Sequence, residues 1–342
     1  GRNPGTNVWS VFQTATPGRP NTAQGIADAD RYLLVPEDVQ PPAELDADVT
    51  LLRQPLERVY LAASSAMDFY RQLGALDTVR MTSTKPAEWS FDEVRQALDA
   101  GDMLYVGKYS APDYELVLSE GADIAIESTM IYHSPETMEQ LKQLGVPVLV
   151  ERSSYETDPL GRLEWIKLYG LLAGREEEAA AFFDRELESV LAIDPEPTGK
   201  TVAFFYLSSS GYAVVRKPGD YISRMIAMAG GIYILPEDTE TEENALSTMQ
   251  MEMESFYEAA RDADYIFYNS TIDGEIRSVD ELLAKSELLA NFKAVQEGHV
   301  WCTEQNVFQQ TTGIGGMILD MNRILTGEAD GTEPLTYFHP VS

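Results

Sequence analysis

The sequence predicts an α/β protein of two lobes, each built on a central, mainly parallel sheet, with a single long helix joining them. Three observations predict it. From Arg58 onward, short runs of β-branched and aromatic residues alternate with segments of helical period, the pattern of repeated strand–helix units. The same alternation restarts at Thr201. Between the two series lies one amphipathic stretch, REEEAAAFFDRELESVLAI at 175–193, with Ala179, Phe182, Phe183, Leu187 and Val190 at helical spacing and charges elsewhere. At ~1.5 Å per residue this stretch makes a rod of about 28 Å, roughly one lobe wide.

Taken in order, residues 1–55 are rich in Pro, Gly, Thr and Asp, with one apolar patch, RYLLVPE at 31–37, and are expected to form an irregular arm. Residues 56–174 make the N-terminal lobe, with strands expected at 58–63, 102–107, 122–127 and 146–151. Ser90 with Glu93 reads as a capping box, and Ser134 before Pro135 as an N-cap ahead of a proline at the first helical position. Gly74, Gly101, Gly121 and Gly145 stand where the helices should stop. The interlobe helix occupies 175–195. Residues 196–342 make the C-terminal lobe, with strands at 201–207, 263–269 and 299–302 and helices near 219–229, 253–262, 285–296 and 315–325.

Charge removes several functions. The chain carries 25 Lys+Arg against 56 Asp+Glu, a formal net charge of −31. Such an excess repels nucleic-acid backbones and anionic lipid headgroups, so no nucleic acid is expected as a partner. With 44% hydrophobic residues there is ample material for a core, and the acidity belongs to the surface of a folded protein. Cys302 is the only cysteine, so no internal disulfide forms. No apolar run reaches the ~20 residues that span a bilayer. The sequence begins at Gly1 without an initiator Met, and any export signal or lipid-anchor cysteine is expected to have preceded it.

The common catalytic signatures G-x-S-x-G, H-E-x-x-H, the phosphate loop and C-x-x-C are missing. The three histidines, His133, His299 and His339, are scattered, and none is expected to ligate a metal. Gly230-Gly231 and the Gly313, Gly315, Gly316 group lack phosphate-loop spacing and read as turns and close packing. The acidic run EDTETEE at 237–243 lacks the calcium-loop pattern and reads as a solvated loop. Alternating Met249, Met251 and Met253 fit a buried strand edge better than an adaptable pocket.

Three stretches carry a resemblance: GKYSAPDYELVL at 107–118, ESTMIYHSPETMEQLKQLGVPVLVERSSYETDPLGRLEWIKLYGLLAG at 127–174, and MEMESFYEAARDADYIFYN at 251–269. From about Arg58 to Leu325 the chain resembles the substrate-binding proteins of ABC importers for iron complexes, the class III periplasmic binding proteins that take up ferric siderophores, haem and cobalamin. The resemblance implies two α/β lobes joined by a rigid helix, with cargo held in the cleft between them. It implies a monomer working with a membrane permease and its ATPase, outside the cytoplasm, as a periplasmic protein or a cell-surface lipoprotein. It also implies one exposed glutamate on each lobe that docks onto permease arginines. The matching positions are Glu115 in PDYEL and Glu254 in MEMESFY, with Glu252 as rival.

Loops leaving the C-terminal ends of strands are the preferred ligand side of open parallel sheets. They supply Ser64, Ser65, Lys108, Tyr109, Ser110, Tyr132 and His133 in the first lobe, and Ser209, Tyr212, Arg216, Lys217, Asn269, Ser270, Glu304 and Gln309 in the second. Arg and Lys suit the anionic groups of a chelate, and Tyr offers a flat face with a polar tip. The expected protein has no catalytic residues, no resident cofactor and no metal of its own; its cargo is a ferric chelate, haem or a cobamide. The alternative is a hydrolase-like α/β enzyme with a carboxylate pair in an interdomain cleft, for which Glu127, Glu151 and Glu156 are each candidate members.

Overall fold

The computed structural model describes residues 9–11, 31–36, 39–193, 196–234, 248–305, 307–329 and 334–342. The acidic run at 237–243 lies outside them. The described chain divides into two compact α/β units, residues 1–155 with 164–183, and residues 156–163 with 184–342. The helix Glu176–Leu191 carries the chain from the first unit into the second, and its first turn holds Glu176, Glu177 and Glu178, where the helix dipole favours carboxylates.

The first unit opens with a three-stranded sheet of β1 (Trp9–Val11), β2 (Arg31–Val35) and β3 (Val49–Arg53). The segment expected to be an irregular arm therefore holds regular structure. Tyr32, Leu33, Leu34 and Val35 are successive buried residues, and a run buried on both faces needs its backbone paired. β3 provides that in parallel register, and the Tyr32 hydroxyl donates to the Val148 carbonyl at 2.6 Å.

The main sheet of this unit follows from β4 (Val59–Leu61), β5 (Val79–Thr82), β6 (Leu104–Tyr105), a small hairpin of β7 (Gly107–Lys108) and β8 (Ala111–Pro112), then β9 (Ile124–Ser128) and β10 (Val148–Glu151). Its order is β10-β9-β4-β5-β6 with every pairing parallel, so all five C-terminal ends lie along one edge. On one face, Tyr60, Met81, Val106, Val117, Ala125, Leu141, Val146 and Val148 form a continuous core. The helix Asp92–Ala100 ends at Gly101, whose φ of 80° is a left-handed conformation that costs glycine nothing. Its start differs from expectation: the N-cap residue is Phe91, without a side-chain cap, so Ser90 and Glu93 do not form a capping box. Ser134 does stand at the N-cap of Pro135–Gln143 with the proline in the first turn.

The second unit contains β11 (Thr201–Leu207), β12 (Ala213–Arg216), β13 (Ile232–Tyr233), β14 (Thr248–Met251), β15 (Tyr265–Tyr268), β16 (Val300–Thr303) and β17 (Phe338–Pro340). They form one sheet in the order β14-β12-β11-β15-β16-β17, with β13 also on β11. The centre, β11, β15 and β16, is parallel, while β12 and β17 run antiparallel to their neighbours. Met249 and the buried Met251 lie on β14, while Met253 opens the helix Met253–Ala260, so only the first two of the alternating methionines belong to a strand, although all three pack against the same core. The glycines at 313 and 316 sit beneath Tyr337, where an added Cβ would come within 2.5 Å of its hydroxyl and 2.6 Å of its ring, respectively. Close packing is thus their role.

Candidate functional site

In the first unit the C-terminal edge of the main sheet gathers the residues expected from sequence. Ser64 and Ser65 open the single turn after β4, Lys108 ends β7, and Tyr109 and Ser110 form the tip of the β7–β8 hairpin. Tyr132 and His133 are exposed in the turn Thr129–His133 that follows β9. Cross-bonds hold these loops: Thr137 Oγ1 donates to the Ser110 carbonyl at 2.9 Å, and Tyr155 donates to Thr129 Oγ1 at 3.1 Å. Beside them Met130 and Tyr132 keep 49% and 41% of their surface exposed, an apolar patch at an edge otherwise rich in hydroxyls.

One contributor was not signalled by the sequence. Arg152, one residue past β10, is buried, and its Nη2 donates to the Tyr132 hydroxyl while its guanidinium lies 5.7 Å from that ring. A lone arginine in ERSS gives no hint of this. Only the adjacency of β9 and β10 brings its loop beside that of Tyr132.

Glu127 and Glu151, two of the carboxylates considered for an enzyme, do not pair with each other. Register aligns Val150 with Glu127 and Glu151 with Ser128, so Glu127 and Glu151 project to opposite faces of the sheet. Glu127 is fully buried with neither oxygen hydrogen-bonded, and burial pushes its carboxyl up to about 8. Its face also carries Tyr60, which shares a 2.7 Å hydroxyl bond with Ser83. Glu151 accepts from Ser65 Oγ at 3.0 Å and from the Ser153 amide at 2.6 Å. Glu156 lies on the segment that belongs to the second unit.

In the second unit, Ser209 and Tyr212 lie in the turn leaving β11, which closes through Ser208. Asn269, at the end of β15, is buried and caps the helix Ser270–Asp273 by accepting from the Thr271 amide at 3.2 Å. Gln309 is buried in the turn Val307–Gln309 after β16. Glu304, immediately after β16, has Oε1 2.8 Å from His339 Nδ1.

Arg216 and Lys217 are not on this edge. β12 runs antiparallel to β11, with Ala213 opposite Leu207 and Val215 opposite Phe205. Arg216 thus comes level with Phe204, about 10 Å back along the strand from the edge. There its guanidinium lies between the Phe204 and Tyr221 rings, at 6.0 and 5.9 Å, and 3.8 Å from Asp220.

Glu115 and Glu254 occupy equivalent places. Each is exposed and is the second residue of its helix, Tyr114–Ser119 or Met253–Ala260, and two residues later Val117 or Phe256 is buried. Glu252 is the N-cap residue of the second helix and makes no side-chain cap bond.

The profile of the periplasmic binding protein family matches residues 59–307, nearly three-quarters of the chain. The chain belongs to that family. Two uncharacterized lipoproteins of Methanocaldococcus jannaschii are each 24% identical to it, over 318 and 339 residues, covering 89% and 92% of this chain and 74% and 82% of theirs. Among solved structures, the periplasmic heme binding protein HutB of Vibrio cholerae superposes with a TM-score of 0.60 at 18% identity, covering 80% of this chain and 98% of that one. The periplasmic vitamin B12 binding protein BtuF of the same organism gives 0.54 at 17% identity, covering 81% and 99%. An ABC-type Fe3+-hydroxamate transport protein of Saccharomonospora viridis gives 0.56 at 18%, covering 80% and 94%. These likenesses establish the fold of this family member. No helix among its described residues is long and apolar enough to cross a membrane.

Proposed function

We propose that this chain is the extracytoplasmic solute-binding protein of an ABC importer, and that it captures an iron complex, a ferric siderophore or haem-like chelate, and hands it to a membrane permease. The observation that carries the reading is the family match across residues 59–307. Solved structures of like fold named as heme, vitamin B12 and Fe3+-hydroxamate proteins support the cargo class. Relatives named as lipoproteins support a place at the outer face of a membrane, where the protein acts as a monomer beside permease and ATPase. No chemistry is performed on the cargo.

In this reading the cargo-binding set is the loops of the C-terminal edges: Ser64, Lys108, Tyr109, Ser110, Tyr132 and His133 in the first unit, Ser209, Tyr212 and Gln309 in the second. Tyrosines, hydroxyls and the exposed Met130 suit a flat, partly apolar chelate with oxygen donors at its rim. The test is purification without added ligand, followed by absorbance and mass analysis, then titration with ferric siderophores, haem and cobalamin. Saturable one-to-one binding of one class with a raised melting temperature is expected. No binding to any of them, or turnover of a bound compound, would overturn the reading.

A further inference from the structure

We propose that Glu275, Glu304 and His339 form a binding site for one divalent transition-metal ion, best matched by zinc, wholly within the second unit and independent of the cargo reading. The three residues are far apart in sequence, and main-chain bonds bring them together. β17 pairs antiparallel with β16 so that His339 stands opposite Cys302, and the ladder extends through the Glu304 amide, which donates to the Tyr337 carbonyl at 3.0 Å. The Val341 amide donates to the Val300 carbonyl at 2.9 Å. The turn at Glu275 is held to both: the Ile276 carbonyl meets His339 Nε2 at 3.0 Å, and Glu275 Oε1 accepts from the Gln305 amide at 3.1 Å. One donor atom from each of Glu275, Glu304 and His339 lies within 4.8 Å of the others.

The hydrogen-bond chemistry of the ring is what points to a cation. A backbone carbonyl only accepts, so Nε2 carries a hydrogen and donates it to Ile276. That leaves Nδ1 facing Glu304 Oε1 at 2.8 Å, and an ionised carboxylate also has no hydrogen to give. Two acceptors at this distance need a positive charge between them, either a second ring proton or a metal ion in its place. A ring whose outer N–H is fixed by a backbone carbonyl while the other nitrogen points at carboxylates is oriented as metal-ligating histidines are.

Donor type and spacing narrow the ion. Imidazole with two carboxylates suits zinc and its transition-metal neighbours, whereas calcium and magnesium favour all-oxygen sets. Tetrahedral ligands about 2.1 Å from a zinc ion lie roughly 3.4 Å apart, so the His339–Glu304 pair, now at 2.8 Å, must part slightly to admit the ion, and no two of the three donor atoms start more than 4.8 Å apart. Arg277 Nη2, 2.5 Å from Glu275 Oε2, balances one carboxylate and leaves Oε1 with a lone pair for the metal. A bound ion would fasten β17 and the turn at Glu275 to the end of β16.

The experiment is calorimetric titration of chelator-treated protein with Zn2+, in physiological salt with excess Mg2+ to occupy the acidic surface. The wild type is expected to bind one equivalent and to melt higher with zinc. His339→Gln and Glu304→Gln should each weaken affinity at least 10- to 100-fold, while His299→Gln should not. No stoichiometric binding by the wild type, or unchanged affinity in both variants, overturns the proposal. Should a variant fail to fold, the wild-type imidazole 15N spectrum decides: the His339 Nδ1 signal moves on adding Zn2+ if the ring ligates, and its failure to move overturns the site. Cargo titrations of the same proteins report separately on the cargo reading.

Discussion

Ser65 Oγ donates to Glu151 Oε2 at 3.0 Å, tying the loop after β4 to the last residue of β10. The other oxygen of that buried carboxylate accepts the Ser153 amide at 2.6 Å. Both connections lie directly under the edge on which the first unit's candidate loops sit. Glu151→Ala removes the shared acceptor of two donors in the interior and should cost roughly 2–4 kcal/mol of stability, read as a lowered denaturant midpoint. Ser65→Ala should cost about 1 kcal/mol and leave cargo affinity unchanged, because the hydroxyl is already committed. A large loss of affinity in Ser65→Ala would show instead that the hydroxyl turns to the ligand.

Glu127 should make stability fall with rising pH. Burial raises its carboxyl to about 8 in the folded chain from an ordinary value near 4.5. The folded state therefore holds a proton that the unfolded state releases. The favourable contribution is complete below about pH 4.5 and is lost as pH rises through about 8, to an extent on the order of 5 kcal/mol. Glu127→Gln keeps the shape without the ionisation and should flatten this part of the pH–stability curve, being more stable than wild type at pH 8.5. Parallel curves for the two proteins between pH 5 and 9 would show that Glu127 does not titrate in this window.

How much of this was legible in the sequence depends on the range of the interaction. The strand at Thr201–Leu207 was expected at its observed bounds because its seven residues are nearly all apolar, and the glycines at 101 and 145 mark helix ends through local backbone geometry. The capping box at Ser90 was not realised, because helix start residues compete within a residue or two and Phe91 prevailed. β17 was missed since three residues after a turn carry no period, and with it went the approach of His339 to Glu304. The displacement of Arg216 from the edge had the same origin: the sequence showed a strand leaving Leu207 but not that the next one returns antiparallel. Chemistry that depends on which strands are neighbours is invisible until the sheet order is known.

Arg216 now has a structural assignment that a mutation separates from cargo binding. Its guanidinium lies against two aromatic rings and beside the buried Asp220, level with the middle of β11. Arg216→Ala should lower the melting temperature by removing that packing and leaving Asp220 without its counter-charge, at roughly 1–3 kcal/mol. Affinity for an anionic chelate should stay within about threefold. Lys108→Ala, on the exposed hairpin of the edge, should show the reverse: unchanged stability and weakened binding of an anionic cargo. A tenfold or greater loss of affinity in Arg216→Ala would bring the arginine back into the binding set.

Glu115 and Glu254 share a position in their helices that accounts for their exposure. In both helices the N-cap residue is followed by a tyrosine or methionine, then the glutamate, and the buried anchor is the fourth helical residue. The anchor turns the second position outward, and the dipole at a helix start favours a carboxylate there. Glu115 and Glu254 thus each place a negative charge at the start of a helix, outward from its buried anchor. If the chain serves an importer as proposed, charges of this kind would act on the encounter with the permease and its register more than on raw affinity. Glu115→Lys with Glu254→Lys should leave fold and cargo affinity intact, because neither carboxylate packs into a core, and should abolish or strongly slow uptake in vesicles carrying the cognate permease. Glu252→Lys alone should have a smaller effect, its place being the N-cap and not the outward second position. Normal uptake by the double variant would refute the docking role, and loss of cargo affinity along with uptake would move these glutamates into the binding site.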